Sequence, residues 1–236
     1  MFTRCHGGWG GYLFSVIKLL LNPGVFIHLW DVRLKDLPRS LYYLNIASIM
    51  YGIVIMLLKT AILLEWARIF VPRGFRDIFW WTCHITIMIN VLFYVSFTFI
   101  QIFPCVPRQR HWNPTIPGTC LDVAKVNIVA ACINFVSDLG ILLLPQIVIW
   151  SLSVSSSKKL AIGSMFAMGL FACLAAGFRL VNAATYVTSA NILYRSSDMG
   201  LWCNVEMVCG FTIVCLPATG KLMKESPWIR KIISSF

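Results

Sequence analysis

Apolar residues form long, nearly unbroken runs along this chain, separated by short segments that contain prolines, glycines and charged residues. The runs long enough to cross a bilayer lie at about 41–64, 78–103, 123–150, 160–187 and 199–221. A spanning helix needs about 20 apolar residues at a rise of about 1.5 Å each. The runs are apolar on every helical face and lack the two-residue alternation of an outer-membrane barrel. The pattern predicts an all-α, polytopic transmembrane bundle of about five spanning helices.

Composition supports a membrane location and argues against other partners. Of 236 residues, 58% are hydrophobic and 12% are charged, whereas an ordinary soluble domain has about 25% charged residues. A soluble fold of this size could not bury so much apolar surface, so the lipid bilayer is the expected partner. The net charge of +11 comes from basic residues scattered between the runs, which favours contact with anionic headgroups over nucleic-acid binding.

The ends of the chain are expected to differ from its middle. Residues 1–30 form an apolar stub, which Lys18 and the turn at 22–24 interrupt, and which is either part of a span or an interfacial helix. Residues 31–222 form the transmembrane domain, and residues 223–236 form a short tail. Nine basic residues flank the spans on the tail side and seven on the other, so the positive-inside rule places the C-terminus in the cytoplasm.

Two of the nine cysteines, Cys105 and Cys120, lie in a polar, proline-rich loop on the opposite side from the tail. Disulfides persist in that extracytoplasmic environment, and we expect these two residues to form one. The alternative is a pair of free thiols at the membrane edge. A bridge across a loop of this length would stabilise the fold by about 3 kcal/mol.

Four ionisable residues lie inside the predicted spans, where a charge is costly and usually needs a partner. Counting along the helices places Arg179 and Glu206 at similar depth on consecutive spans, which predicts an ion pair. Lys59 lies near the expected end of its span, where it could snorkel to the interface. It is counted in one candidate intramembrane polar network with Asn134, Asp138, Arg179 and Glu206.

The fourth ionisable residue, Asp138, lies near the middle of the third span, and in a static network it would be protonated and hydrogen-bonded to Asn134 or Ser137. Asn134 and Asp138 are four residues apart and share a helix face. Two interpretations of the whole polar set stay open. It is either a static structural network or a polar core that changes between conformations or lines a pathway.

Motifs for chemistry are missing from the sequence. No GxSxG, HExxH, phosphate-binding loop or dinucleotide fingerprint occurs, the four histidines are isolated, and no cysteine pair has zinc spacing. We therefore predict no catalytic, cofactor or metal site and no enzyme activity. Retinal would need a lysine in mid-helix, but Lys221 lies at the end of the last span and Lys59 is expected near an interface, so we predict no retinal.

Six strings in order carry a family resemblance: PGVFIHLWDVRLKDLP, LLKTAILLEWARIFVP, IFPCVPRQRHWNPTIPGTC, NFVSDLGILLLPQIVIW, KKLAIGSMFAMGLFACLAAGFRLV and LWCNVEMVCGFTIVCLPA. Together they cover about residues 22–222 and resemble the fungal rhodopsin-like integral membrane family. That family includes receptor-like proteins of plant-pathogenic fungi that resemble G-protein-coupled receptors. The resemblance implies seven spans, so this chain is expected to lack the first one to two.

The resemblance also implies a function. It favours a receptor-like sensor of the plasma membrane, without retinal, whose basic inner loops meet a cytoplasmic signalling partner. The alternatives are a transporter or channel-like protein, or a truncated fragment without function. The sequence predicts neither the ligand nor the oligomeric state.

Overall fold

The computed structural model describes residues 36–71, 78–112, 115–149, 156–188 and 191–225, together with residues 17, 28, 31 and 33. Nearly all of the expected N-terminal stub, and the tail after residue 225, lie outside these residues.

Five long helices make up most of the described chain. They are α1 (Leu37–Phe70), α2 (Ile78–Ile102), α3 (Val123–Ile149), α4 (Ser156–Thr188) and α5 (Ile192–Glu225). Each contains a stretch long and apolar enough to cross a membrane. The predicted all-α bundle with about five spanning helices is confirmed.

Three helices, α1, α4 and α5, extend further than the apolar runs indicate. α1 begins at Leu37 rather than at 41, with a proline in its first turn, where the missing N–H is not needed. It ends at Phe70 rather than at 64, and α5 begins at Ile192 rather than at 199. The added turns are polar but still helical. Ion pairs between residues three apart stabilise them, such as Arg68 with Glu65 at 3.1 Å.

A small β-hairpin closes the loop between α2 and α3. β1 (Cys105–Val106) pairs antiparallel with β2 (Thr119–Cys120), and a 3₁₀ helix at Arg108–His111 lies between them. We call this the hairpin end of the bundle, and the other end the opposite end.

The helices pack around α1, which contacts α2, α3 and α5, while α4 packs between α3 and α5. At the opposite end, nine buried side chains form one apolar cluster, the opposite-end core: Ile62, Leu63, Trp66, Ala67, Cys83, Ile141, Leu144, Met165 and Ile213. Large apolar side chains also cover the outer faces, such as Leu92, Phe99 and Leu174 at about 60% exposure. The charged side chains midway along the helices lie inside instead, which is the distribution that lipid requires.

Candidate functional site

Two ion pairs lie buried at the centre of the bundle. Nζ of Lys59 lies 2.9 Å from Oδ1 of Asp138, and Nε of Arg179 lies 3.3 Å from Oε2 of Glu206. The four residues come from α1, α3, α4 and α5, in chain order. Their formal charges sum to zero, which limits the cost of placing them in a low-dielectric interior.

The expectation that Lys59 reaches the membrane interface was wrong. The Lys59 side chain is 2% exposed and forms an ion pair with Asp138. Asp138 therefore has a cationic partner in addition to the hydrogen bonds expected for it. The physical reason is the length of α1. The helix continues to Phe70, eleven residues (70 − 59) beyond the lysine, so the lysine lies in the middle of a helix rather than near its end.

Asn134 connects the two ion pairs. Its side-chain amide donates to Oδ2 of Asp138 at 3.1 Å and to Oε1 of Glu206 at 2.7 Å, while its backbone carbonyl accepts from Lys59 at 3.1 Å. The hydroxyl of Tyr94 donates to its side-chain oxygen. Because a single amide bridges both carboxylates, the two ion pairs belong to one connected set.

Two tyrosines that the sequence pattern did not predict complete this set. The hydroxyl of Tyr51 donates to Oε2 of Glu206 at 2.9 Å, and the ring of Tyr51 lies 5.2 Å from the guanidinium carbon of Arg179. The Tyr94 ring lies 5.7 Å from Nζ of Lys59. Such cation–π contacts are strongest where water is excluded.

We call the whole set the charge network, and all five helices contribute to it: Tyr51, Lys59, Tyr94, Asn134, Asp138, Arg179 and Glu206. Ser137 lies outside it, because its hydroxyl donates to Oδ1 of Asn90 at 2.7 Å rather than to Asp138. The sequence offers only one indication of the role of the two tyrosines, which is that each places a polar hydroxyl within an apolar run.

A cavity of about 200 Å³ lies between the charge network and the hairpin end. Tyr51 and Arg179 form part of its wall on the network side. The wall is otherwise mainly apolar or uncharged, with Leu41, Leu44, Asn45, Ala47, Ser48, Phe97, Gln101, His111, Val123, Asn127, Ala130, Tyr186, Ser196, Met199, Gly200 and Cys203. A partly open cavity with an apolar wall and a few polar groups is typical of small-molecule sites.

Uncharged polar groups bond to one another near the hairpin. The side-chain amide of Gln101 donates to Oδ1 of Asn127 at 2.7 Å, and the side-chain amide of Asn45 donates to the backbone carbonyl of Gln101 at 3.1 Å. Asn45 also lies 3.2 Å from Nε2 of His111, whose pKa is lowered mainly by burial and further by Arg108. A lowered pKa favours the neutral imidazole at pH 7.

The structure joins Cys105 and Cys120 in a disulfide directly across the paired strands. The bridge holds the two ends of the segment that contains His111, and it therefore fixes the residue that contributes to the cavity wall. Within the described part of the chain, no group of three His, Cys, Asp or Glu side chains could hold a metal ion.

A second, smaller cavity of about 50 Å³ lies on the other side of the charge network. Lys59, Asp138 and Glu206 form part of its wall, together with apolar residues such as Ile62 and Met165 that belong to the opposite-end core or pack beside it. The network therefore separates two cavities of different size.

A family model described as the fungal rhodopsin domain matches residues 10–225, so the chain belongs to that family. The resemblance seen in the six strings is confirmed. The family is a membrane family and not a known family of enzymes.

Three relatives illustrate the similarity. "Fugralins biosynthesis cluster protein 2" of Gibberella zeae is 37% identical over 99% of this chain and 59% of its own length. "SAT4 family membrane protein" of Emericella nidulans is 34% identical over 81% of this chain and 48% of its own length. "Wortmanamides biosynthesis cluster protein C" of Talaromyces wortmannii is 31% identical over 67% of this chain and 42% of its own length. The chain thus spans about half the length of the relatives it matches, and no solved structure matches it.

Proposed function

We propose that this protein is a receptor-like membrane sensor of a small molecule, acting without retinal and without catalysis. The observation that carries this proposal is the position of the larger cavity directly against the charge network, with Tyr51 and Arg179 in both. A molecule in the cavity would contact Tyr51 and Arg179. Through the hydrogen bonds and ion pairs of the charge network, these two residues are connected to all five helices.

The mechanism is a shift between two arrangements of the helices. Binding favours whichever arrangement makes better contacts with the ligand, and the shift can be no larger than that difference in affinity. Tyr51 is the residue best placed to report occupancy, because its side chain lines the cavity and its hydroxyl donates to Glu206. Moving this hydroxyl would change the pairing between α4 and α5.

The space around Lys59 supports a mechanism without retinal. The one buried lysine among the described side chains, Lys59, lies beside a cavity of about 50 Å³. Benzene already occupies an apolar cavity of about 150 Å³, so this space is too small for a larger chromophore. A bulky chromophore attached to Lys59 would require the opposite-end core to move apart.

The names of the relatives agree with a small-molecule stimulus. Two of those reported above are named for biosynthesis clusters, of fugralins and of wortmanamides. We infer that the stimulus of this chain is a compound of low molecular mass rather than a protein, which also agrees with the volume of the cavity.

We propose that the protein is in the plasma membrane with the hairpin outside and the C-terminus in the cytoplasm. The disulfide supports this orientation because such bonds persist outside the cytosol. Three spanning helices follow the hairpin, so the chain would end on the other side, where its basic residues could meet a signalling partner. A reporter enzyme that works only in the cytoplasm, fused after Phe236, should be active; activity only of an external reporter would contradict this topology.

The sensor function is tested by second-messenger output in cells that express the chain, with candidate stimuli applied from outside. Tyr51→Phe removes the hydroxyl that links cavity and network but keeps the ring, so it should reduce the response while surface expression stays unchanged. Tyr42→Phe on the same helix is the matched control, since that ring is 41% exposed. An equal response from both variants would contradict the proposal, and a response that requires a longer gene product would identify this chain as a fragment.

A transporter is the second candidate, and the pair of cavities on either side of the network favours it. Inward and outward access to a central polar site is what transport requires. Flux of a labelled solute into liposomes that contain the purified chain, with no second-messenger response, would favour transport over sensing.

A further inference from the structure

The guanidinium of Arg179 has more hydrogen-bond donors than its described neighbours use. Its Nε and Nη2 atoms are buried and have no hydrogen-bond partner among the described residues. The 3.3 Å separation from Glu206 makes an ion pair but not a hydrogen bond, and the ring of Tyr51 offers only its face. A guanidinium has five N–H donors, and buried donors in proteins nearly always find an acceptor. These two nitrogens are themselves enclosed by protein, but another part of the Arg179 side chain lines the cavity wall, and an acceptor oxygen of a bound molecule would there supply the guanidinium with a partner that the protein does not provide.

The charge balance determines what kind of acceptor fits. Lys59 and Arg179 are offset by Asp138 and Glu206, so the buried set is already neutral. A carboxylate ligand would add a negative charge without a counter-ion, at a large desolvation cost. A carbonyl oxygen accepts the same hydrogen bond from the charged donor without adding a charge, and hydrogen bonds to charged groups are stronger than neutral ones.

The cavity sets the size and polarity of the rest of the molecule. Arg179 is the one formally charged side chain among the described residues of its wall, with His111 counted as neutral, and apolar side chains such as Leu41, Phe97 and Met199 supply much of the surface. An apolar cavity of about 150 Å³ holds benzene. The 200 Å³ available here therefore fits a somewhat larger, mainly apolar body.

We propose that the cavity binds a neutral, mainly apolar molecule whose carbonyl oxygen accepts a hydrogen bond from Arg179. This rests on the sensor function proposed above and names the class of its stimulus: ketones, esters, lactones or amides, rather than carboxylic acids. The carbonyl end lies against the charge network, and the apolar body extends toward the hairpin.

Three probes of nearly equal size separate the contributions of the carbonyl oxygen and of charge. Acetophenone has a neutral carbonyl, benzoate has a carboxylate, and isopropenylbenzene has a methylene group in place of the carbonyl oxygen. Each is titrated by ligand-observed NMR into the full chain in lipid nanodiscs at pH 7. We expect acetophenone to bind about tenfold more tightly than either of the others, the factor expected for one hydrogen bond to a charged group.

Variants separate binding in the cavity from partition into lipid. Ala47→Phe places a ring in the cavity wall and should abolish the saturable binding of acetophenone. Ala184→Phe makes the same change on an exposed position of α4 and should leave binding intact. The double variant Arg179→Met with Glu206→Gln keeps the site neutral but removes the guanidinium, so acetophenone should lose its advantage over isopropenylbenzene.

Each contrary result has a separate meaning. If benzoate binds more tightly than acetophenone, the neutral ligand class is wrong, although the sensor function could stand. If the wild type and Ala47→Phe bind every probe equally, the cavity is not a binding site. If the probes behave as expected while Tyr51→Phe leaves the cellular response unchanged, the ligand class holds and the sensor function proposed above fails.

Discussion

The two ends of the bundle interior differ in how they are filled. At the opposite end, apolar side chains such as Leu63 and Cys83 are fully buried, and the smaller cavity, which lies beside their core, has a volume of only about 50 Å³. Toward the hairpin end, the interior holds a 200 Å³ cavity with the amides of Asn45 and Gln101 at its wall. The charge network lies between the two.

This difference separates two tasks that a membrane protein must perform. Lipid tails are as apolar as leucine, so helices associate through close packing and polar contacts rather than through the hydrophobic effect. The opposite-end core supplies the close packing, and the network supplies the polar contacts. The hairpin end can then leave space for a ligand, because its shape is held by the disulfide instead. Four changes test this division, in order of expected effect.

The largest effect should come from breaking the charge network. Glu206→Gln leaves Arg179 buried without a counter-ion, and we expect the free energy of unfolding to fall by about 3–5 kcal/mol. Combining it with Arg179→Met removes the unpaired charge and should recover much of this loss. Denaturant titration in detergent measures both, and losses that simply add would show that the two residues do not act as a pair.

The next effect should come from opening the disulfide. Replacing Cys105 and Cys120 together by serine frees a segment with a sequence separation of 15, which should lower stability by about 3 kcal/mol in the chain-entropy model. The loss should appear as faster proteolysis of the hairpin. The exposed Cys132, replaced by serine, is the control, and an equal effect there would contradict a structural role for the bridge.

Packing density should give a smaller difference between the ends. Leu63→Ala removes a fully buried side chain from the opposite-end core and should lower the free energy of unfolding by about 2 kcal/mol. The loss comes mainly from the cavity left behind, because transfer of the leucine side chain into lipid costs little. Leu44→Ala only enlarges an existing cavity and should cost less. Leu64→Ala, at a position that is 40% exposed, controls for the change in helix composition. Equal losses at 63 and 44 would show that the ends are packed alike.

The smallest effect concerns pH at the hairpin. Burial lowers the pKa of His111 below its ordinary value of about 6.5, so the unfolded chain binds the proton more readily than the folded one. Stability should therefore be highest above that pH and should decrease as the pH falls through the range below it. His111→Gln should flatten the acid side of the curve in thermal unfolding from pH 7 to pH 5. A curve unchanged by the substitution would assign the pH dependence to another group.

Much of the fold followed from the apolar runs, because a bilayer imposes a minimum length of apolar helix. The ends of the helices could not be predicted in the same way. Pro38 and the pair Arg68–Glu65 belong to turns beyond the apolar run, and hydropathy does not distinguish such a turn from a loop. That error moved Lys59 toward the interface and concealed its ion pair with Asp138.

The candidate site was predictable only where charge made it visible. Arg179 and Glu206 are rare in apolar runs, and counting residues placed them at similar depth. Tyr51 and Tyr94 give no comparable signal, because tyrosine is common in membrane helices and its role depends on which hydroxyl meets which acceptor. The cavity is a property of how five helices leave space between them, and no local pattern encodes it.

The buried pair of Lys59 and Asp138 also bears on how the protein is made. The two residues are separated by 79 positions (138 − 59), so the lysine leaves the ribosome first. Protein synthesis proceeds at about 5–20 residues per second, so about 4–16 s pass between the synthesis of Lys59 and that of Asp138, whose carboxylate neutralises it. During that interval α1 carries a charge without its partner, so we expect α1 to reach its final position only after α3 has been inserted.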